Sequence, residues 1–438
     1  MKMSNNILIK RNSKEESTYC RKYSIELHKL DNGVTIVGMS CGMDFTNWAS
    51  ISYEFSEGAY GNTPGTVHFL EHFFNKKIRL LAERNSLKLI AQTNKLEVRE
   101  TVSGIANPNV DDYGVWIVLD GIRKTLEAPL KNLDNPERDI DIEKNIIKSE
   151  IQGRSTNHNY HIDNNFLKTI YDPKNPFFDI STTAGSKEDI DKINITPLME
   201  IQEKVLVPKN LIISLYTEGD PTILKNLIGK LKNQYSNFPR EGNPKNVINN
   251  ELLEMMNPKL KTERNYMFDT KIKNGIITNQ FNWVFKHKFG SKKYFSLNYL
   301  KNILSTELFN YSRKNGWGYF TEVGIARPTD DVAILNLRVD VKKDNNKDFN
   351  SGIIEILNSV KKITKNAVEL EHKRQLATAL SVQDRFSWVT GGLKRYGKII
   401  NADVLRSGML KVDSNDLNKL IDNILSTPPV TIVTGDLA

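Results

Sequence analysis

The chain has 438 residues, 39% hydrophobic and 26% charged, with a formal charge of +9 from 61 basic and 52 acidic side chains. That length exceeds one ordinary core and predicts at least two domains, and the balance excludes a disordered or fibrous chain. The charge is spread along the sequence with no arginine-rich, aromatic-interleaved stretch, and no apolar run would cross a bilayer, so neither a nucleic-acid module nor a membrane span is expected.

Residues 1–20 are polar and read as a loose lead-in. Segments 25–30 and 34–39 flank Asp31-Asn32-Gly33, a hairpin signal, and 48–55 alternates as a third strand. A loop follows to Gly65, with Thr63 as the expected helix cap and Pro64 in the first turn. The next helix carries Gly65-Thr66-Val67-His68-Phe69-Leu70-Glu71-His72. Positions i, i+3 and i+4 share one helix face, so His68, Glu71 and His72 point into one small volume. Two imidazoles on adjacent turns can share one zinc ion, with the glutamate beside it handling a water's proton. The order H-x-x-E-H is the inverzincin signature. A chance H-x-x-E-H of hydrogen-bonded histidines is the competing reading.

A strand is expected at 97–104, then a helix from Asp111-Asp112 through Leu126 with Val115, Trp116, Leu119 and Ile122 as its apolar stripe. Asn135-Pro136-Glu137 opens a further helix to about Gly153. On it Glu143 and Glu150 are seven apart, stacked two turns from each other beside Ile140, Ile146 and Ile147. A carboxylate amid an apolar stripe is costly unless paired or metal-bound. The alternative is a pair of exposed glutamates bridged to Lys144 and Lys148.

Short helices are expected at 187–191 and 196–205, a buried strand at 211–217 ending in Glu218-Gly219-Asp220, and a helix at 221–236. Residues 237–265 lack periodicity and read as a linker. The second half repeats the plan. Strands are expected at 276–286, 317–326 and 331–342, and helices at 292–312, 348–362, 367–385, 390–409 and 414–425. A closing strand runs into Gly435-Asp436. Asp220 and Asp436 are 216 residues apart, about half the chain, which supports an internal duplication. The expected organisation is a first domain at 1–236, the linker, and a homologous second domain at 266–438. Cys20 and Cys41 form no C-x-x-C pair and no disulfide framework, and the first residues lack the apolar core of a signal peptide, so a cytoplasmic setting is expected.

Gly65 to His72, followed by Glu143 and Glu150, resembles the inverted-zincin peptidases of the pitrilysin, insulin-degrading enzyme and mitochondrial processing peptidase family. Glu150 follows His72 by 78 positions, within that family's interval, and Glu143 stands seven before it. The resemblance implies an α+β protein of two homologous α/β domains, each a mixed sheet covered by helices, closing on a peptide. It implies one Zn2+ per chain on His68, His72 and Glu150, with Glu71 as general base and Glu143 behind the site. In the second domain Arg313 and Tyr319 are the candidates for the family's substrate-facing arginine and tyrosine, at a spacing one residue shorter than the family's. Ile90-Ala91 stands where the family has an Asn-Ala pair. The glycine-rich loop of the non-catalytic processing subunit is missing near Leu304-Ser305-Thr306, which fits a catalytic chain.

The resemblance thus implies a zinc endopeptidase acting on peptides or leader segments, as a homodimer or with a related, catalytically degenerate subunit. The alternative is a non-catalytic scaffold subunit that kept the motif by descent.

Overall fold

The computed structural model describes residues 7–10, 24–40, 48–55, 63–93, 98–105, 114–127, 130, 135–172, 184–218, 220–238, 264–270, 272, 275–318, 320–327, 331–344, 349–362, 365–380, 382–396, 400 and 402–437. Nearly all of the expected linker, 239–263, lies outside these.

The chain forms two compact units. Unit 1 comprises Met1–Ile151, Thr182–Val247 and Val382–Ile399. Its sheet has seven strands: β1 (Ile7–Lys10), β2 (Ser24–Lys29), β3 (Thr35–Ser40), β4 (Trp48–Phe55), β5 (Lys88–Thr93), β6 (Val98–Ile105) and β7 (Leu211–Thr217), in the order β1-β2-β3-β7-β4-β6-β5. The Asp31-Asn32-Gly33 turn closes the β2–β3 hairpin, with Gly33 at φ 97°, a conformation glycine adopts without strain. β3 and β7 are parallel and the other pairs antiparallel. The helices here are α1 (Thr66–Arg84), α2 (Val115–Glu127), α3 (Pro136–Arg154), α5 (Lys187–Lys192), α6 (Ile195–Val205) and α7 (Pro221–Tyr235).

Unit 2 comprises Gln152–Ser181, Ile248–Ser381 and Ile400–Ala438. Its sheet joins β8 (Asn265–Asp269), β9 (Ile276–Lys286), β10 (Thr321–Ala326), β11 (Val332–Lys342) and β12 (Val430–Gly435), in the order β10-β11-β9-β12-β8. That order repeats β5-β6-β4-β7-β3 of unit 1, and β12 and β8 are again the parallel pair. The duplication expected from the two closing strands is therefore present in the topology. The helices of this unit include α4 (His158–Ile170), α8 (Lys292–Lys314), α9 (Phe349–Val360), α10 (Lys365–Leu380), α12 (Ala402–Met409) and α13 (Ser414–Ser426).

Each half of the sequence lends one segment to the other unit. From the second half, α11 (Val382–Tyr396) joins unit 1, where Val389 and Leu393 pack with Ile25, Leu27, Val37, Met39 and Ile212. From the first half, α4 joins unit 2 through polar contacts. The buried Arg338 guanidinium donates to Gln280 at 2.8 Å, Asp163 at 2.6 Å and Asn159 at 3.4 Å. Gln280 in turn donates to Asn282, which donates to the Val430 carbonyl. A buried cation is tolerated because each partner supplies a hydrogen bond.

Some boundaries differ from expectation. The helix expected over 367–385 ends at Leu380, and 382–385 open α11. The one expected over 390–409 is split between α11 and α12. α10 has almost no one-sided apolar stripe, so periodicity alone could not place its end. Three elements, β5, β8 and α4, were not anticipated from periodicity, and β1 falls inside the expected lead-in.

If α11 completes the unit 1 core, Leu393→Ala should lower stability by about 2–5 kcal/mol in urea denaturation. A change within a few tenths would mean that α11 is only loosely attached.

Candidate metal centre

The site is built by two helices and one strand of unit 1. α1 buries Val67, Phe69, Leu70, Phe73, Phe74 and Ile78, and the same helix carries His68 and Glu71 into the interior at 7% and 5% exposure. Its N-cap is Gly65 rather than the expected Thr63. Gly65 lies at φ 89°, and Thr63 contributes its carbonyl, which accepts from the Thr66 amide and hydroxyl. A Cβ on Gly65 would meet the Ala184 carbonyl oxygen at 2.6 Å, and one on Gly185 would meet that of Pro64 at 2.6 Å. The two backbones touch there, and only glycine permits it. Immediately after this contact a Ser186/Asp189 capping box starts α5. Asp191 of α5 receives Lys148, and its carbonyl accepts from Lys144 at 3.2 Å. The segment 184–191 thus ties the start of α1 to α3. It also engages the two lysines that the sequence offered as partners for the α3 glutamates.

α3 buries Ile140, Glu143, Ile147 and Ile151, a stripe in which Glu143 is the one charged member. Glu143 Oε1 lies 2.7 Å from His72 Nδ1. His72 Nε2 is 3.2 Å from His68 Nε2, and Glu150 Oε2 is 3.7 Å from both of those nitrogens. These three atoms make a nearly equilateral triangle. A point about 2.1 Å from all three lies within it, the distance at which imidazole nitrogen and carboxylate oxygen hold zinc. Glu71 also offers an oxygen to the cluster, 3.7 Å from His68 Nε2. His68, Glu71 and His72 have donor atoms all within 4.8 Å of one another. Glu150 Oε2 completes the triangle, whereas Glu71 Oε2 is also engaged by the Thr93 hydroxyl at 3.1 Å.

The electrostatics fit a cation. Three carboxylates surround two imidazoles. Burial raises the Glu71 carboxyl above its ordinary range, and His72, Thr93 and Asn75 only partly offset it. At His72 burial acts to lower the imidazole, but hydrogen bonds to Glu143 and Glu150 and the Glu71 charge outweigh it and raise it to about 9. A proton on His72 brings one positive charge to this cluster, and a divalent ion held by the triangle brings two.

Five of the seven residues singled out in the sequence therefore meet in one place: His68, Glu71, His72, Glu143 and Glu150. Arg313 lies in the last turn of α8, exposed, with its guanidinium 5.1 Å from the Phe309 ring centre. Tyr319 lies outside the described residues. Sequence reasoning missed Thr93 and Asn75. Asn75 was readable, standing four residues after Glu71 on the same helix face. Thr93 depends on β5 lying beside α1, where the Asn85-Ser86 turn, with Ser86 at φ 55°, returns the chain.

No family profile and no curated protein matches the chain by sequence. Solved structures match it over nearly its whole length. A protease from Helicobacter pylori superposes with a TM-score of 0.75 at 14% identity, covering 94% of this chain and 99% of that one. The peptidase M16 inactive domain from Pseudomonas fluorescens gives 0.73 at 13%, covering 94% and 97%. An M16-like peptidase from Alicyclobacillus acidocaldarius gives 0.69 at 14%, covering 94% and 98%. The chain has the M16, or pitrilysin-type, peptidase fold. Each of these M16 matches covers 94% of the chain, and the candidate centre sits on α1 and α3 of unit 1.

Gly65→Ala should cost about 1–3 kcal/mol, from the left-handed backbone and the clash with Ala184. A urea melt equal to that of the parent would show that the α1 N-terminus accepts a side chain.

Proposed function

We propose that the chain is a zinc-dependent endopeptidase. His68, His72 and Glu150 hold the metal, Glu71 is the general base, and Glu143 orients His72. The observation that carries this reading is the triangle of two imidazole nitrogens and one carboxylate oxygen, with a second carboxylate, Glu71, held beside it by Thr93.

Zinc in that position supplies a Lewis acid and brings the pKa of a water towards about 7. Glu143 accepts a hydrogen bond from His72 Nδ1–H, which leaves the Nε2 lone pair free for the metal. Thr93 holds one oxygen of Glu71 by its hydroxyl. The other oxygen takes the water's proton as the water attacks a peptide carbonyl, then passes it to the leaving amine. Among the described strands β5 pairs with β6 alone, so its outer edge can accept an extended peptide, and its last residue is the one bonded to Glu71. The substrate-facing roles of Arg313 and Tyr319 rest on the sequence resemblance.

A second reading is a non-catalytic or partner-dependent subunit of a heterodimeric peptidase. It is favoured by the likeness to an M16 domain described as inactive. The complete donor set favours catalysis, whether the chain works as a homodimer or beside a degenerate relative.

Glu71→Gln should retain zinc and lower cleavage of a quenched fluorescent peptide by about 10²–10⁴-fold. Full activity in that variant would remove Glu71 from the base role. Glu143→Gln should weaken zinc by about 10–100-fold in chelator competition, since His72 loses its anionic acceptor. Unchanged affinity would mean that Glu143 does not orient His72.

A further inference from the structure

We propose that the face of unit 1's sheet beside β5 selects the substrate, favouring an extended peptide with an aliphatic side chain two positions from an acidic one. The inference rests on the peptidase reading and names its substrate class.

Side chains of β5 alternate. Thr93 faces α1 and bonds Glu71, so Leu89 and Ala91 share that side, while Lys88, Ile90 and Gln92 face the other. Directly opposite residues share a face across paired strands, so this second face continues inward in three rows. Gln92 leads to Arg99 and Glu54, Ile90 to Thr101 and Ser52, and Lys88 to Ser103 and Ser50. The inner positions engage one another. Arg99 pairs with Glu54 at 2.8 Å, Ser52 donates to Glu54 at 3.2 Å, and the Ser52 and Thr101 hydroxyls are 3.1 Å apart. At the edge, Ile90 is 48% exposed and Lys88 is exposed.

An exposed isoleucine on an edge strand invites strand addition, which natural edges avoid. Lysine alone is a common guard against it. Here the two stand side by side on one face, so an added strand meets an aliphatic contact and, two residues away, a cation. The complementary strand carries an aliphatic or β-branched residue opposite Ile90 and Asp or Glu opposite Lys88. At about 3.3 Å per residue, Ile90 lies about 10 Å along β5 from Thr93, so the selected residue sits about three positions from the scissile bond.

The test uses binding, so that it does not depend on cleavage. Short fluorescent peptides carrying Asp-x-Val or Val-x-Asp, and counterparts with Lys for Asp or Asn for Val, are titrated by anisotropy into the full-length Glu71→Gln chain. One acidic–aliphatic order should bind about three- to tenfold more tightly than its counterparts. Lys88→Glu in the same background should reverse the charge preference, and Ile90→Asn should abolish the aliphatic one. Equal binding of all peptides, or preferences unchanged by both substitutions, would overturn the proposal; so would a uniform loss across peptides in Lys88→Glu. Cleavage by the unsubstituted chain is scored separately. Selective binding with neither zinc nor cleavage would sink the peptidase reading and leave the selecting face, and cleavage with preferences unaltered by both substitutions would do the reverse.

Discussion

The hydrogen bond between His72 Nδ1 and Glu143 is the contact on which the rest of the site depends. At 2.7 Å it links α1 to α3, and it gives a buried carboxylate in an apolar stripe its compensating partner. It also decides which nitrogen of His72 is left for other work. With Nδ1 committed to Glu143, Nε2 turns towards His68 and Glu150, and the three-atom triangle follows. Without it, α3 would bury an uncompensated charge and His72 could rotate.

Everything around that bond fixes the separation of the two helices. Gly65 and Gly185 let two backbones meet where a single methyl group would collide with a carbonyl oxygen. The same short segment then reaches α3 through Asp191. β5, returned against α1 by the turn at Asn85-Ser86, supplies the Thr93 hydroxyl to Glu71. Three local devices, a close glycine pair, an ion pair and a strand-end hydroxyl, thus hold one cluster of donors.

Much of this was legible in the sequence because helices map spacing onto space. His68, Glu71 and His72 share a face by arithmetic, and Glu143 and Glu150 do so at a separation of seven. The duplicated sheet was signalled by two similar closing strands. What was not legible depends on long-range partners. His158–Ile170 has apolar residues at helical spacing, but its docking site turns on Arg338 and Asp163, 175 residues apart. Phe386, Val389 and Leu393 mark a helix, but nothing in them says that it belongs to the first unit's core. The Thr63 cap failed for a different reason. Gly65, in the left-handed region, takes the cap position instead, and its backbone touches residues 184–185, far along the chain.

The measurement that bears most directly on the account is zinc content together with peptide cleavage, made on the chain purified alone. The account predicts one zinc per chain and cleavage of a quenched fluorescent peptide mixture that is lost with a chelator and restored by zinc. A chain that binds no zinc would contradict it, leaving His68, His72 and the surrounding carboxylates as a buried hydrogen-bonded cluster in a non-catalytic M16 fold.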